Sequence, residues 1–596
     1  MHLFRVWAPL ASEVSVRIEA ETYPMSQAGE GWWETRVGNA HPGMTYAFSV
    51  DGSDPVPDPA SRWQPHGVHG PSRLLDNKFP WTDAMWNPPP LASGVIYELH
   101  IGTFTEEGTF VATIEKLDHL TDLGVTHVEF MPVAEFSGRW GWGYDGVDLY
   151  APNHHYGSPQ DLMKLVDACH ARGLAVILDV VYNHFGPAGN YLGKFGPYTG
   201  SKYETPWGKA VNLDGPRSDE VRSFFIENAV MWLRDYHFDG LRLDAVHALI
   251  DNGAYHFLEQ LADRIEDLEA ELGRHLVLIA ESDLNDPRVI RPCEIGGYGI
   301  DAQWSDDFHH ALHTTLTGER SGYYTDFGAL AQLAKALRQA YVYDGCFSGH
   351  RGRSHGRMPQ AANGRQFVVS TQNHDQVGNR ARGERLSHLA GIGKAKIAAA
   401  LLVTSPFLPM LFQGEEWAAS APFLYFTQHE DEELGRAVSE GRKKEFSAFG
   451  WAPDDVPDPQ DESTFQTSKL NWKEVAQPPH AGMLEWYRSL LRLRHATPAL
   501  KTGHLRDVDI TFSEDESWLL MSRGEITVAC NFSGEPRLVP ATRGEVILAS
   551  SSSLKPDLEG LLLPPESVAI LSTARNSEQE KADASATTQG MCPISS

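Results

Sequence analysis

Cysteine is scarce: five in 596 residues, at Cys169, Cys293, Cys346, Cys530 and Cys592. An odd number with no paired spacing excludes a disulfide framework and a thiolate zinc site, and it suits a reducing compartment. Long hydrophobic runs are missing as well, since no stretch approaches the ~20 apolar residues of a membrane span. The N-terminal MHLFRVWAPLAS lacks the basic region, apolar run and small-residue cleavage site of a secretory signal. The expectation is a soluble, cytoplasmic protein with no membrane partner. Positive charge is in deficit, with 50 Lys and Arg against 79 Asp and Glu and a formal net charge of -29. Such a chain repels phosphate backbones, so no nucleic-acid partner is expected. Repeats and coiled-coil heptads are absent too, which excludes solenoid architectures.

What is present is apolar and aromatic: 41% and 10% of residues, enough to bury several cores in two to four domains. Residues 1–90 alternate apolar and polar in short runs such as Val14-Ser15-Val16-Arg17-Ile18, the pattern of a small β-sandwich. Trp86-Asn87-Pro88-Pro89-Pro90 continues neither strand nor helix and marks a boundary. Residues 91–500 change texture, with short apolar runs alternating with helical periods, as in repeated β-α units around a parallel sheet. Eight candidate strands begin near Val95, His127, Ala175, Gly240, Leu276, Ala302, Gln366 and Leu408, the number that closes a barrel. Between them, stripes such as Leu162, Leu165, Val166 and Cys169 read as faces that pack on strands. Strand-like alternation returns over 501–574, and 575–596 has the composition of a disordered tail. The predicted fold is a central (β/α)8 barrel flanked by an N-terminal β-sandwich and a C-terminal antiparallel β domain.

In such a barrel, residues just past the C-terminal ends of the strands converge on one face. Strand three runs into Asp179-Val180-Val181-Tyr182-Asn183-His184, strand four into Arg242-Leu243-Asp244, strand five into Ala280-Glu281, and strand seven into Asn373-His374-Asp375. Asp244, Glu281, Asp375, His184, His374 and Arg242 therefore meet at one rim. Any one of them alone reads as a helix cap or an ion-pair partner. Together they suit glycoside cleavage, which needs one ionised and one protonated carboxyl, ~5 Å apart in the retaining mechanism. Arg242, two residues before Asp244 on one strand, projects to the same face and should hold Asp244 ionised. Glu281, beside apolar Ile279 and with no adjacent Arg, is the better candidate for a raised pKa.

These segments, DVVYNH, DGLRLDAVH, AES and QNHD in that order, resemble the ordered motifs of the α-amylase family of glycoside hydrolases. The resemblance implies that Asp244 is the nucleophile, Glu281 the general acid/base, and Asp375 the carboxylate that helps distort the sugar. By the same likeness His184, Arg242 and His374 contact that sugar, and Tyr144 in WGWGYDGVDLYAP is its aromatic platform. RVWAPLASEV, HRGRSHGR, LFQGEEW and KKEFSAFGW narrow the likeness to members that act beside a terminal α,α-1,1-linked glucose pair. The implied reaction is hydrolysis of the neighbouring α-1,4 bond of maltooligosyltrehalose, releasing trehalose and a maltooligosaccharide. It implies a place in trehalose biosynthesis, coupled to a maltooligosyltrehalose-forming synthase.

Two departures from the common family pattern bear on specificity. Where many members carry Lys-His after the nucleophile segment, this chain has Ala245-Val246-His247-Ala248, so the usual contacts to the leaving-side sugar are either missing or rebuilt, with His247 a candidate. Asn183 stands at a frequent calcium ligand position, but 185–217 lacks a cluster of further carboxylates, so no metal or other cofactor is expected. Asn183 reads instead as a hydrogen bond orienting the loop before His184. Glu415 or Glu416 reads either as a contact to the leaving-side sugar or as a helix cap, and Trp417 either as a stacking residue or as a core filler. The loop His350–Arg357 reads as a sugar-contacting segment or as structural ion pairs. The competing functions are a glycogen-branching glucanotransferase, a general α-glucan hydrolase, and a non-catalytic glucan-binding protein. The last is disfavoured because Asp244, Glu281 and Asp375 are all present.

Overall fold

The computed structural model describes residues 1–573 except 361, 448–450, 453–454 and 543. The tail expected over 575–596 lies outside the described residues. Eight parallel strands close a barrel: β1 Ile96–Leu99, β2 His127–Phe130, β3 Ala175–Val180, β4 Gly240–Leu243, β5 Val277–Ala280, β6 Ala302–Trp304, β7 Phe367–Ser370 and β8 Leu408–Phe412. Each pairs with the next, and β8 pairs with β1. All eight coincide with the predicted strands to within a residue or two. They were legible because strands covered on both faces read as continuous apolar runs.

The connecting helices follow their stripes. In Pro159–His170 the residues Leu162, Leu165, Val166 and Cys169 are all buried, and the helix begins on a capping box in which Ser158 and Asp161 bond reciprocally. Helix Leu386–Thr404 is long and apolar enough, by length and composition, to cross a membrane, which the sequence pattern had not suggested. It bends at Gly391 (φ 79), and its second half, 397–404, is buried against helix His480–Ala496 and strand Ser567–Ser572.

Before the barrel lie two antiparallel sheets, one of His2–Trp7, Trp32–Val37 and Ser26–Gly29 and one centred on Val14–Ile18 and Thr45–Val50. After it lie an antiparallel five-stranded sheet, Val508–Ser513 to Ser567–Ser572, and a three-stranded one. The N-terminal sheets reach the cleft indirectly. Trp7 packs edge-on against Tyr198, with ring centres 5.4 Å apart, and Phe48 against Phe195 at 6.4 Å. Those contacts anchor the base of the hairpin Thr199–Thr205/Gly208–Val211, whose tip carries Trp207.

Candidate active site

A cleft of about 500 Å³ opens at the C-terminal rim of the barrel. Parallel pairing of β4 with β5 sets Leu243 beside Ala280, so Asp244 and Glu281 emerge side by side from adjacent strands. The backbone locks that arrangement: Glu281 N–H donates to Leu243 O, and Val246 N–H donates to Glu281 O. Ala245 takes a left-handed conformation (φ 40), which turns its N–H onto the Glu281 carboxyl.

Arg242 sits beneath both acids with no exposed side-chain surface. Its Nη1 is 2.8 Å from Asp244 Oδ1 and 2.8 Å from both Asp179 oxygens, its Nη2 is 3.8 Å from Glu281 Oε2, and the Trp304 ring covers it at 4.3 Å. Asp244 also accepts from Asn183 Nδ2, at 2.7 Å to Oδ2 and 2.8 Å to its backbone oxygen. Burial raises Glu281 to about 8, with Asp244 and Asp375 adding to the shift and Arg242 opposing it. A carboxyl still protonated at neutral pH thus stands beside one gripped by a cation and an amide, the division of labour that acid-assisted displacement requires.

Asp375 lies across the cleft in the first turn of helix His374–Gly378, with its side chain 43% exposed and accepting from Asn379 Nδ2 at 3.1 Å. Tyr144 lines the cleft, its ring stacked on His374 with centres 5.1 Å apart, and its hydroxyl donates to Asp179 Oδ2 at 2.6 Å. His184 and His247 line the same cleft. Both ring nitrogens of His184 are already engaged, by Asn183 Oδ1 and by Tyr144 O, and Trp207 stacks over its face at 5.3 Å.

Three expectations need correction. Arg242, expected to contact the sugar, has no exposed side-chain surface, and its guanidinium is turned onto the carboxylates below the cleft. Glu415 and Trp417 are buried away from the cleft. Glu415 accepts from Thr371 and Tyr487, and Trp417 Nε1 donates to Glu474, so both tie the end of β8 to the helices behind it. Glu416 likewise meets Tyr97 and His119. Following a strand end was insufficient, because here the chain turns inward in a short 3-10 turn, Glu415–Trp417.

The structure adds residues that patterning missed: Trp142, Trp207, Tyr425 and Phe426 as aromatic walls, and Asp283 two residues beyond Glu281. The loop His350–Arg357 reaches the cleft through Asp283, which receives Arg351 Nη1 at 3.0 Å on its carboxylate and His355 Nε2 at 2.7 Å on its backbone oxygen. Among the described residues no group of three or more His, Cys, Asp or Glu is placed to hold a metal ion.

Comparison with known proteins fits this geometry. The family "Alpha amylase, catalytic domain" matches residues 82–204, and a domain of unknown function, DUF3459, matches 503–570. A malto-oligosyltrehalose trehalohydrolase of Rhizobium sp. (strain M-11) is 47% identical over 95% of this chain and 97% of its own. One of Arthrobacter ramosus is 50% identical over 91% and 95%. The chain belongs to the malto-oligosyltrehalose trehalohydrolase family. A crystal structure from Salmonella typhimurium superposes with a TM-score of 0.88 at 39% identity, covering 96% of this chain and 97% of that one. Membership in the trehalohydrolase family makes the chain an α-amylase-type glycoside hydrolase.

Proposed function

We propose that this chain hydrolyses the α-1,4 bond next to the terminal trehalose unit of malto-oligosyltrehalose, releasing trehalose and a malto-oligosaccharide with retention at the anomeric carbon. The observation that carries the mechanism is the pair Asp244 and Glu281 on adjacent strands, one guanidinium within 4 Å of both and the Glu281 carboxyl raised to about 8. Asp244 attacks the anomeric carbon as the C1–O bond to trehalose breaks, and Glu281 gives its proton to the departing oxygen. Water then adds to the glycosyl-enzyme, losing a proton to Glu281 and freeing Asp244. The oxocarbenium-like transition state is flanked by Asp375 and Tyr144. The relatives' names support trehalose as the leaving group, and the four described cysteines, all free, support a reducing, cytoplasmic setting in which a synthase supplies the substrate.

The test is to incubate the protein separately with maltopentaose and maltotriosyltrehalose and to separate the products. Trehalose and maltotriose from the second, with the first cut far more slowly, is the expected result. Equal cutting of both would reduce the protein to a general α-glucan hydrolase, and branched product from maltopentaose would make it a transferase.

A further inference from the structure

Glu98 lies within the buried strand β1, and nothing in the sequence pattern ties it to the rim. The structure does. Its Oε2 accepts the His374 backbone N–H at 2.9 Å and its Oε1 meets His374 Nδ1 at 2.5 Å, both side chains being 1% exposed. On the opposite edge of the ring, Nε2 is 2.8 Å from the Tyr144 hydroxyl and 3.6 Å from Asp375 Oδ1. A phenol has one proton, and Tyr144 donates it to Asp179, a carboxylate already held by Arg242. The Tyr144 oxygen is therefore an acceptor toward His374, and Nε2 carries a proton. Nδ1 faces a carboxylate that also accepts a backbone N–H, so Nδ1 is a donor as well. A ring donating from both nitrogens is an imidazolium.

We propose that Glu98 is a positioning residue for glycoside cleavage, holding His374 fixed and protonated so that its Nε2–H holds the Tyr144 hydroxyl at the cleft wall beside Asp375. The proposal deepens, and rests on, the α-glucosidic reading of the cleft. A charged donor makes a shorter and stronger hydrogen bond to the Tyr144 oxygen than a neutral one, and a buried ring sheds its proton unless an anion keeps it there. The ionisable groups facing His374 come from every neighbouring element: Tyr144, Asp179 on β3, Arg242 on β4, Asp375 on its own turn, Glu129 on β2 and His100 after β1. Burial pulls His374 down, Glu98 and then Asp375 outweigh it, Arg242 opposes them, and the ring ends at about 9. Burial, with Glu98 beside it, raises Glu129 well above the usual carboxyl range, and neither of its oxygens has a hydrogen-bond partner, so it is an uncharged neighbour. His100 is lowered by burial to about 3 and is neutral.

Glu98→Gln keeps an acceptor for Nδ1 and removes the charge. With maltotriosyltrehalose as substrate, the alkaline limb of kcat is expected to move down by about one pH unit or more, with activity down about tenfold at pH 8 and recovering toward pH 5. Glu129→Gln, a neutral group replacing a neutral group, is expected to leave the limb in place. Equal loss for Glu98→Gln at every pH, or a shifted limb for Glu129→Gln, would overturn the assignment. Neutron diffraction from wild-type crystals at pH 7 requires neither a folded variant nor a substrate. Deuterium on both ring nitrogens of His374 is expected, and deuterium on one alone overturns the proposal. A wild-type protein that cuts no α-glucan would instead sink the functional reading and leave the neutron result standing.

Discussion

Arg242 Nη1 lies 2.8 Å from Asp244 Oδ1 while Nη2 of the same guanidinium lies 3.8 Å from Glu281 Oε2. One planar cation therefore spans the two carboxyls proposed to react, and their other surroundings set them apart. Asp244 gains the Asn183 amide, whereas Glu281 is kept protonated first by burial and then by the nearby charges of Asp244 and Asp375. A lysine ammonium is a point charge on a flexible stem and cannot serve Asp179, Asp244 and the Glu281 side at once. Arg242→Lys should lower kcat/KM by about a hundredfold. Steady-state kinetics on a variant of native circular dichroism checks this, and near-normal turnover would show that the bridge is dispensable.

Asp244→Asn removes the carboxylate proposed to attack, at almost constant volume, and Arg242 keeps Asp179 as its partner. Turnover should fall by about a thousandfold or more, with melting shifted by only a few degrees. Substantial residual hydrolysis in a folded variant would move the nucleophile elsewhere.

The rim was legible because its residues follow strands that announce themselves as apolar runs, so chain order alone brought Asp244, Glu281, His374 and Asp375 to one end. What was not legible depends on segments that return from a distance. Trp207 reaches the cleft only because Trp7 and Phe48, some 200 and 160 residues earlier, anchor its hairpin. Asp283 reads as one more loop acid until Arg351 is folded onto it. Glu98 is hidden by its own strand, where a buried carboxylate breaks the apolar pattern without saying which histidine it faces. Glu415 and Trp417 fail in the opposite sense, having the right position in the chain but the wrong direction in space.

Trp207 is 48% exposed and lines the cleft above His184. Its free face is a flat apolar surface of the kind on which a pyranose can stack, and its removal leaves no core cavity. Trp207→Ala should raise KM for trehalosyl-capped oligosaccharides about three- to tenfold with a smaller effect on kcat and no loss of melting temperature. A change confined to kcat would argue against stacking.

Trp417 is fully buried and its Nε1 donates to Glu474 at 3.2 Å. Trp417→Phe should cost about 1–3 kcal/mol of stability through lost packing and a lost hydrogen bond. KM and the product pattern should stay unchanged. Altered cleavage specificity at unchanged stability would return Trp417 to the sugar.

Glu281 couples the chemistry to stability with a definite sign. Its folded pKa, about 8, lies above the 4.5 of an ordinary glutamate because burial penalises the anion. Below 4.5 both folded and unfolded chains carry the proton, and its contribution to stability is fully present. Between 4.5 and about 8 the unfolded chain releases the proton and the folded one keeps it, so stability declines across that window and levels off above it. Glu281→Gln cannot ionise, and its amide oxygen still accepts from Ala245. The variant should match the wild type at pH 4 and exceed it by about 1–3 kcal/mol at pH 8. The same substitution removes the proposed proton donor, so hydrolysis should fall most for poor leaving groups and least for aryl glucosides, whose departing oxygen needs little protonation. Denaturant melts at pH 4 and pH 8, run beside rates on both substrate types, check the two halves together. A variant less stable than wild type at pH 8 would show that the Glu281 anion, not its acid form, is what the folded cleft favours.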